Sequence, residues 1–160
     1  LYDESFITIC IEDTSGVLCG FCFGTTKSRG YSKRLISGSL LSYIVLCLFL
    51  FVTNPRSLYR IFKNFTKTSN EKRIRDYAEI LSVGVLSKYQ GKGLGGQLIE
   101  GFERRLLEKN INEVSLTTDL ENNDSAKRFY WSLGYETMYI FIAYPGRKMI
   151  RLIKRIPKQL

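Results

Sequence analysis

A chain of 160 residues is long enough for one domain with a real core, and a composition of 44% apolar and 24% charged residues excludes a disordered chain. The formal net charge of +9 suits a polyanionic ligand or an anionic surface, but no helix carries a dense basic run with interleaved aromatics, so nucleic acid is not the expected partner. There is no His; proton transfer falls to carboxylate, Tyr, Cys or water, and no metal site is expected.

Phe6 to Glu12 alternates Phe6, Thr8 and Cys10 against Ile7, Ile9 and Ile11 and reads as a strand. Asp13-Thr14-Ser15-Gly16 is a turn, and Val17 to Gly24 returns as the second strand of a β-hairpin. Apolar residues on both faces predict a central place for this hairpin in a sheet. Cys19 and Cys22 have the spacing of a redox or metal pair. Strand positions three apart face opposite ways, however, so these two, with Cys10 and Cys47, are read as buried reduced thiols of a cytoplasmic protein.

Thr25 to Ser32 is a basic, polar loop. Leu35 to Thr53 then carries no charged residue and is densest in apolar residues from Leu40 to Val52. Spanning a bilayer needs about 20 such residues. Ser37, Gly38, Ser39 and Ser42 dilute the run, and a span here would split the sheet. The expectation is an apolar helix that is buried, or that rests on a membrane or partner. Asn54-Pro55 breaks it. Ser57 to Phe65 reads as a short amphipathic helix with Leu58, Ile61, Phe62 and Phe65 on one side, and Thr66 to Arg75 as a surface loop. Residues 35–65 are thus an apolar helical insertion in a single domain covering 1–160.

Glu79 to Val85 is the next strand. The glycine-rich turn Gln90-Gly91-Lys92-Gly93-Leu94-Gly95-Gly96 follows, and Leu94 to Lys109 is a helix with Leu94, Leu98, Phe102 and Leu106 every four residues. A turn of this kind delivers a helix N-terminus whose first N–H groups lack partners and whose dipole is positive, which suits phosphate. Val114 to Thr118 is a strand, and a strand–helix–strand order predicts a parallel pair. Ala126, Phe129, Tyr130 and Leu133 form the stripe of a short helix that Gly134 stops. Tyr135 to Ala143 and Lys148 to Ile153 are the last strands, around a turn at Pro145-Gly146.

Three phosphate motifs compete for the glycine turn. A Walker loop fails because Lys92 is followed by Gly93 rather than Ser or Thr. A dinucleotide fingerprint is met by Gly91, Gly93 and Gly96, with Asp119 or Glu113 as the later acid, but the chain has only one further crossover. This leaves an NAD(P)-binding oxidoreductase domain as an alternative reading. The third candidate fits best. Gln90-Gly91-Lys92-Gly93-Leu94-Gly95 resembles the Q/R-x-x-G-x-G/A motif of the acetyl-CoA-dependent N-acetyltransferase superfamily (GNAT). Ala78 to Val85 is similar to that family's central strand. Asn123, Ala126, Phe129-Tyr130 and Leu133-Gly134-Tyr135 resemble its second block, N-x-x-A-x-x-x-Y-x-x-x-G-[FY].

The resemblance implies an α/β (α+β) fold, a mixed, mostly antiparallel twisted sheet with a central parallel pair flanked by helices. It implies acetyl-CoA as cosubstrate and direct transfer to a primary amine, without an acyl-enzyme, with a small-molecule amine as the expected acceptor. The pyrophosphate is expected on the backbone of Gln90, Gly91, Lys92, Gly93, Leu94 and Gly95, and the pantetheine arm on the backbones of Val83 and Val85. Asn123 is expected near the coenzyme or as a plain N-cap. Glu79 matches a strand position that supplies a general base in some members; its other reading is a carboxylate that holds a cation. Tyr130 matches the tyrosine that protonates the leaving thiolate; its other reading, like that of Trp131, is a core aromatic. The family usually opens with a strand and one or two helices before the hairpin, where this sequence has only Leu1 to Ser5, so the expectation is either a fragment or an incomplete acceptor side of the site. The apolar run 35–53 and the charge leave a third reading, a noncatalytic, membrane-associated module on the same fold.

Overall fold

The computed structural model describes residues 4–28, 77–144 and 146–157. The chain divides into two compact units, and Asp3–Ser28 with Tyr77–Leu160, which hold all the described residues, form one of them. The helices expected at 40–52 and 57–65, and Cys47, lie outside the described residues.

The described residues form six strands and two α-helices: β1 (Phe6–Glu12), β2 (Leu18–Thr25), β3 (Ala78–Val85), α1 (Leu94–Glu108), β4 (Glu113–Asp119), α2 (Asp124–Ser132), β5 (Glu136–Tyr144) and β6 (Arg147–Arg155). One turn of 3-10 helix, Ser87–Tyr89, lies between β3 and α1. The sheet order is β1-β2-β3-β4-β6-β5. Among the described strands only β3 and β4 run parallel, joined by α1 as the strand–helix–strand order required; the other described neighbours are antiparallel. The hairpin is not central, as its two apolar faces had suggested. Among the described strands β1 ends the sheet, with Ile7, Ile9 and Ile11 packed on the core while Thr8 and Cys10 are exposed. Cys10 is therefore not buried, whereas Cys19 and Cys22 are.

α1 lies across β1, β2 and β3 and buries Leu98, Ile99, Phe102 and Leu106. It comes this close because β2 offers it Gly20, Cys22 and Gly24. A Cβ at Gly24 would stand 2.5 Å from Phe102 Cζ and 2.5 Å from the Glu79 carbonyl oxygen. Glu103 is also buried on α1, where it accepts from Tyr135 Oη at 3.0 Å and from Lys154 Nζ at 2.7 Å. These bonds satisfy a carboxylate that the helical stripe alone would have placed outside.

The β2–β3 register pairs Phe23 with Ser82 but Gly24 with Ile80, so Leu81 is an extra residue in β3. This bulge switches the alternation. Ile80 and Val83 therefore both face α1, since their partners Gly24 and Cys22 share that side. Trp131, expected in the core, is exposed, as are Met138, Ile140 and Ile142 of β5.

Candidate functional site

The parallel ladder covers only Ala78–Ile80 against Val114–Leu116. Both strands run on beyond it, so a gap opens between residues 81–85 of β3 and residues 117–119 of β4. The main chain along this gap has a defined direction. Leu86 N–H donates to the Cys19 carbonyl at 2.9 Å. Because backbone groups alternate along a strand, Ser82, Gly84 and Leu86 turn theirs to β2, while Val83 and Val85 turn theirs to the gap. Gln90 Nε2 donates to the Val85 carbonyl at 3.0 Å and ties the following loop to this edge.

The loop itself is built on two left-handed residues, Gly91 at φ 76° and Gly93 at φ 77°, with Gly93 as the N-cap of α1. Neither would find an atom within 4 Å of an added Cβ, so the loop curls around open space. No side chain caps α1. Its first N–H groups, and the positive end of its dipole, are left to whatever occupies that space. Leu94 is half-buried at the start of the helix. Lys92 lies over the Tyr89 ring, 5.3 Å from its centre, as does Lys88 at 4.7 Å. Tyr89 Oη donates to Asp13 Oδ2, and Asp13 also accepts from the backbone of Ser15 and Val17. The glycine loop is thus anchored to the hairpin turn. The Tyr89 bond, first among several causes, holds the Asp13 carboxyl below the usual carboxylate range.

α2 packs on the first turn of α1: a Cβ at Gly95 would stand 3.1 Å from Phe129 Cζ. Tyr130 is half-buried between Phe129 and Tyr135, at 5.2 and 5.8 Å between ring centres. Burial, with a smaller contribution from nearby Cys22, raises its phenol above the usual range, so it keeps its proton through neutral pH. Cys22 is paired with Val83 and faces α1, so Tyr130 lies on the α1 side of the sheet. Asn123 occupies the N-cap position of α2, yet its amide makes no capping bond. It donates instead to Thr118 Oγ1 at 2.7 Å, holding the end of β4 to α2.

Glu79 lies on the opposite face of the sheet. Its Oε1 accepts from Arg151 Nη1 at 3.0 Å, and the same nitrogen donates to Ser115 Oγ at 3.1 Å. Both charged side chains are buried, Glu79 at 5% and Arg151 at 4% exposure. Burial works against the guanidinium's charge, but Glu79 and the Tyr77 and Tyr139 rings outweigh it and Arg151 is held charged. Sequence reasoning missed Arg151. One basic residue in an alternating basic and apolar strand gives no sign that it points inward until β6 is placed beside β4. Val83 and Val85 border the gap, and Tyr130 lies on the α1 side of the sheet, whereas Glu79 is on the far face.

The pattern of the Acetyltransferase (GNAT) family matches residues 3–135. The chain belongs to that family. Among curated GNAT relatives, mycothiol acetyltransferase of Corynebacterium aurimucosum is 36% identical over 59 residues, 37% of this chain and 19% of its own length. GCN5-related N-acetyltransferase 2, chloroplastic, of Arabidopsis thaliana is 42% identical over 59 residues, 37% of this chain and 21% of its own. The matched stretch is thus about a fifth of the length of these relatives. The GNAT fold recurs in the ribosomal-protein-S18-alanine N-acetyltransferase of Escherichia coli, with a TM-score of 0.59 at 15% identity over 99% of this chain and 74% of that one. It recurs in nourseothricin acetyltransferase, with a TM-score of 0.61 at 14% identity over 97% and 68%. Among the described residues no helix is long and apolar enough to cross a membrane.

Proposed function

We propose that this chain transfers acetyl from acetyl-CoA directly to a primary amine, without an acyl-enzyme. The observation that carries the reading is the meeting of two features at one end of β3. The parallel ladder stops at Ile80 and leaves Val83 and Val85 turned to a gap, and the chain then enters α1 through two left-handed glycines. A strand edge of this kind bonds an extended, amide-bearing arm as an added strand would. Unpaired N–H groups at a helix N-terminus bond a pyrophosphate. In this reading Gln90, Gly91, Lys92, Gly93, Leu94 and Gly95 hold the phosphates chiefly through main chain, and Val83 and Val85 hold the arm. Asn123 braces α2 against β4.

Acetyl-CoA supplies the activated acyl group. The protein's part is to hold it, to stabilise negative charge on the carbonyl oxygen, and to manage two protons. A main-chain N–H at the gap serves the oxygen, and one such preorganised donor contributes about 3 kcal/mol. Tyr130 Oη holds a proton through neutral pH and gives it to the departing sulfur. For Glu79 the ion pair supports the cation-holding role. A carboxylate that must release a buried guanidinium to take a proton is a costly base, so in this reading the amine's proton leaves through water in the gap. The acceptor class proposed is a small-molecule amine, following the name of the mycothiol acetyltransferase relative, and the setting proposed is the cytoplasm.

The test is thermal protection by acetyl-CoA and by NAD(P), followed by acetyl-CoA consumption over pooled primary amines. Protection by acetyl-CoA with turnover of at least one pool is expected. Protection by NAD(P) alone would sink the reading, and acetyl-CoA binding with no turnover in any pool would leave a noncatalytic module.

A further inference from the structure

Between the end of β3 and the start of α1 the main chain bonds locally, Tyr89 N–H to the Leu86 carbonyl at 2.8 Å and Gln90 N–H to the Ser87 carbonyl at 3.2 Å. Gly91 and Gly93 then border open space. A segment with so little packing of its own stands where its side chains tie it. Gln90 reaches back five residues, to the Val85 carbonyl. Tyr89 reaches across 76, through the bond from its hydroxyl to Asp13 Oδ2.

The acceptor of that long bond is itself fixed. Asp13 Oδ1 takes the N–H groups of Ser15 and Val17 at 2.9 and 3.0 Å, which leaves Oδ2 to Tyr89. The buried Cys19 thiol, which donates to the Val17 carbonyl at 3.3 Å, neighbours the same hydroxyl. At the other end of the side chain, the Tyr89 ring carries Lys92, and Lys92 stands between the two left-handed glycines. Tyr89 therefore joins the hairpin turn to the middle of the loop, with its hydroxyl held on Asp13 and its ring against Lys92.

Main-chain donors bond an anion well only when they are already in place. A loose loop must lose its freedom at the moment of binding, and that loss is subtracted from the affinity. We propose that Tyr89 and Asp13 are positioning residues for the coenzyme: their bond holds the glycine loop in its binding shape and so sets coenzyme affinity without touching the coenzyme. The proposal rests on the reading of this loop as the phosphate site.

The experiment titrates CoA calorimetrically into the wild type, Tyr89→Phe, Asp13→Ala and the double variant. Amide exchange of residues 86–93 is followed in each free protein. Tyr89→Phe keeps the ring against Lys92 and removes only the hydroxyl. It should weaken CoA by about three- to tenfold and speed exchange of 86–93. In turnover, KM for acetyl-CoA should rise while kcat holds. The double variant should bind CoA no more weakly than Asp13→Ala alone, because the bond is already lost in that single variant. A bond that only steadies the hairpin would lower Tm and leave both CoA affinity and exchange of 86–93 unchanged. That result, a loss of affinity under about threefold in Tyr89→Phe, or losses that multiply in the double variant would overturn the proposal. If CoA does not bind the wild type, the coenzyme reading falls. Exchange of 86–93 then decides by itself whether the Tyr89–Asp13 bond holds the loop.

Discussion

Tyr130 is the residue at which the packing and the chemical readings of the same side chain separate most cleanly. Its ring packs with Phe129 and Tyr135, and Tyr130→Phe keeps that packing while removing the proton. With one good acceptor at neutral pH, kcat should fall by about 10²- to 10⁴-fold while KM for acetyl-CoA holds. A loss under about threefold, less than about 1 kcal/mol of transition-state stabilisation, would return Tyr130 to the core. Glu79 poses the converse case. Glu79→Gln leaves the Arg151 charge buried without its counter-ion, and breaking such a pair costs about 3–5 kcal/mol. Denaturant unfolding should show that loss, whereas kcat of the remaining folded enzyme should change little. A large drop in kcat with stability unchanged would restore Glu79 as the base.

At the scale of the element, α1 is placed by what its neighbours lack. Its N-terminus is free of a capping side chain and begins on Gly93 at φ 77°. Gly93→Asp adds both left-handed strain and a negative charge where an anion is proposed to sit. Acetyl-CoA should raise the Tm of the wild type and fail to raise that of the variant. Gly93→Ala, whose Cβ meets open space, should retain part of the protection, and equal protection of all three proteins would remove the loop from the binding site. Lower down, Gly24 lets Phe102 lie directly on β2. Gly24→Ala puts a methyl group 2.5 Å from both Phe102 and a backbone oxygen. Overpacking of this kind costs about 1–3 kcal/mol or more, so the urea midpoint should drop. An unshifted midpoint would mean that α1 rides higher on the sheet than described.

Over the whole molecule, the buried thiol and phenols set an alkaline limit on stability. Burial pushes the Cys22 thiol from 9.0 up to about 12, and burial likewise raises Tyr130 and Tyr135. A group whose folded pKa is raised stabilises the fold fully below its unfolded value and ceases to do so as pH climbs through the folded one. Tm should therefore begin to fall near pH 9 and continue to fall toward pH 12, each group contributing at most about 1.4 kcal/mol per pH unit. Cys22→Ala should delay the onset, and an unchanged onset would mean that the thiol ionises without penalty.

Much of this architecture was legible in residue order, because local signals were strong. Period-two alternation marked β1, a four-residue stripe marked α1, and glycines that tolerate positive φ marked the loop between β3 and α1. The order strand, helix, strand made β3 and β4 parallel, and the blocks around Gln90 and Tyr130 carried the family resemblance. These features depend on neighbours a few residues apart, so the chain states them directly. What the chain left open depended on residues far apart in sequence and adjacent in space. Apolar faces on β1 and β2 did not say whether the hairpin was central or at the edge, since either place buries apolar surface. Only the pairing with distant strands put β1 at the end of the sheet and left Cys10 exposed. The extra residue at Leu81, which sends Ile80 and Val83 to one side, is a matter of register against β2. The inward turn of Arg151 onto Glu79 joins residues 72 apart in sequence. Composition and spacing determined the elements and their order; the tertiary structure decided which faces met, because burial, register and charge pairing are settled between elements and not within them.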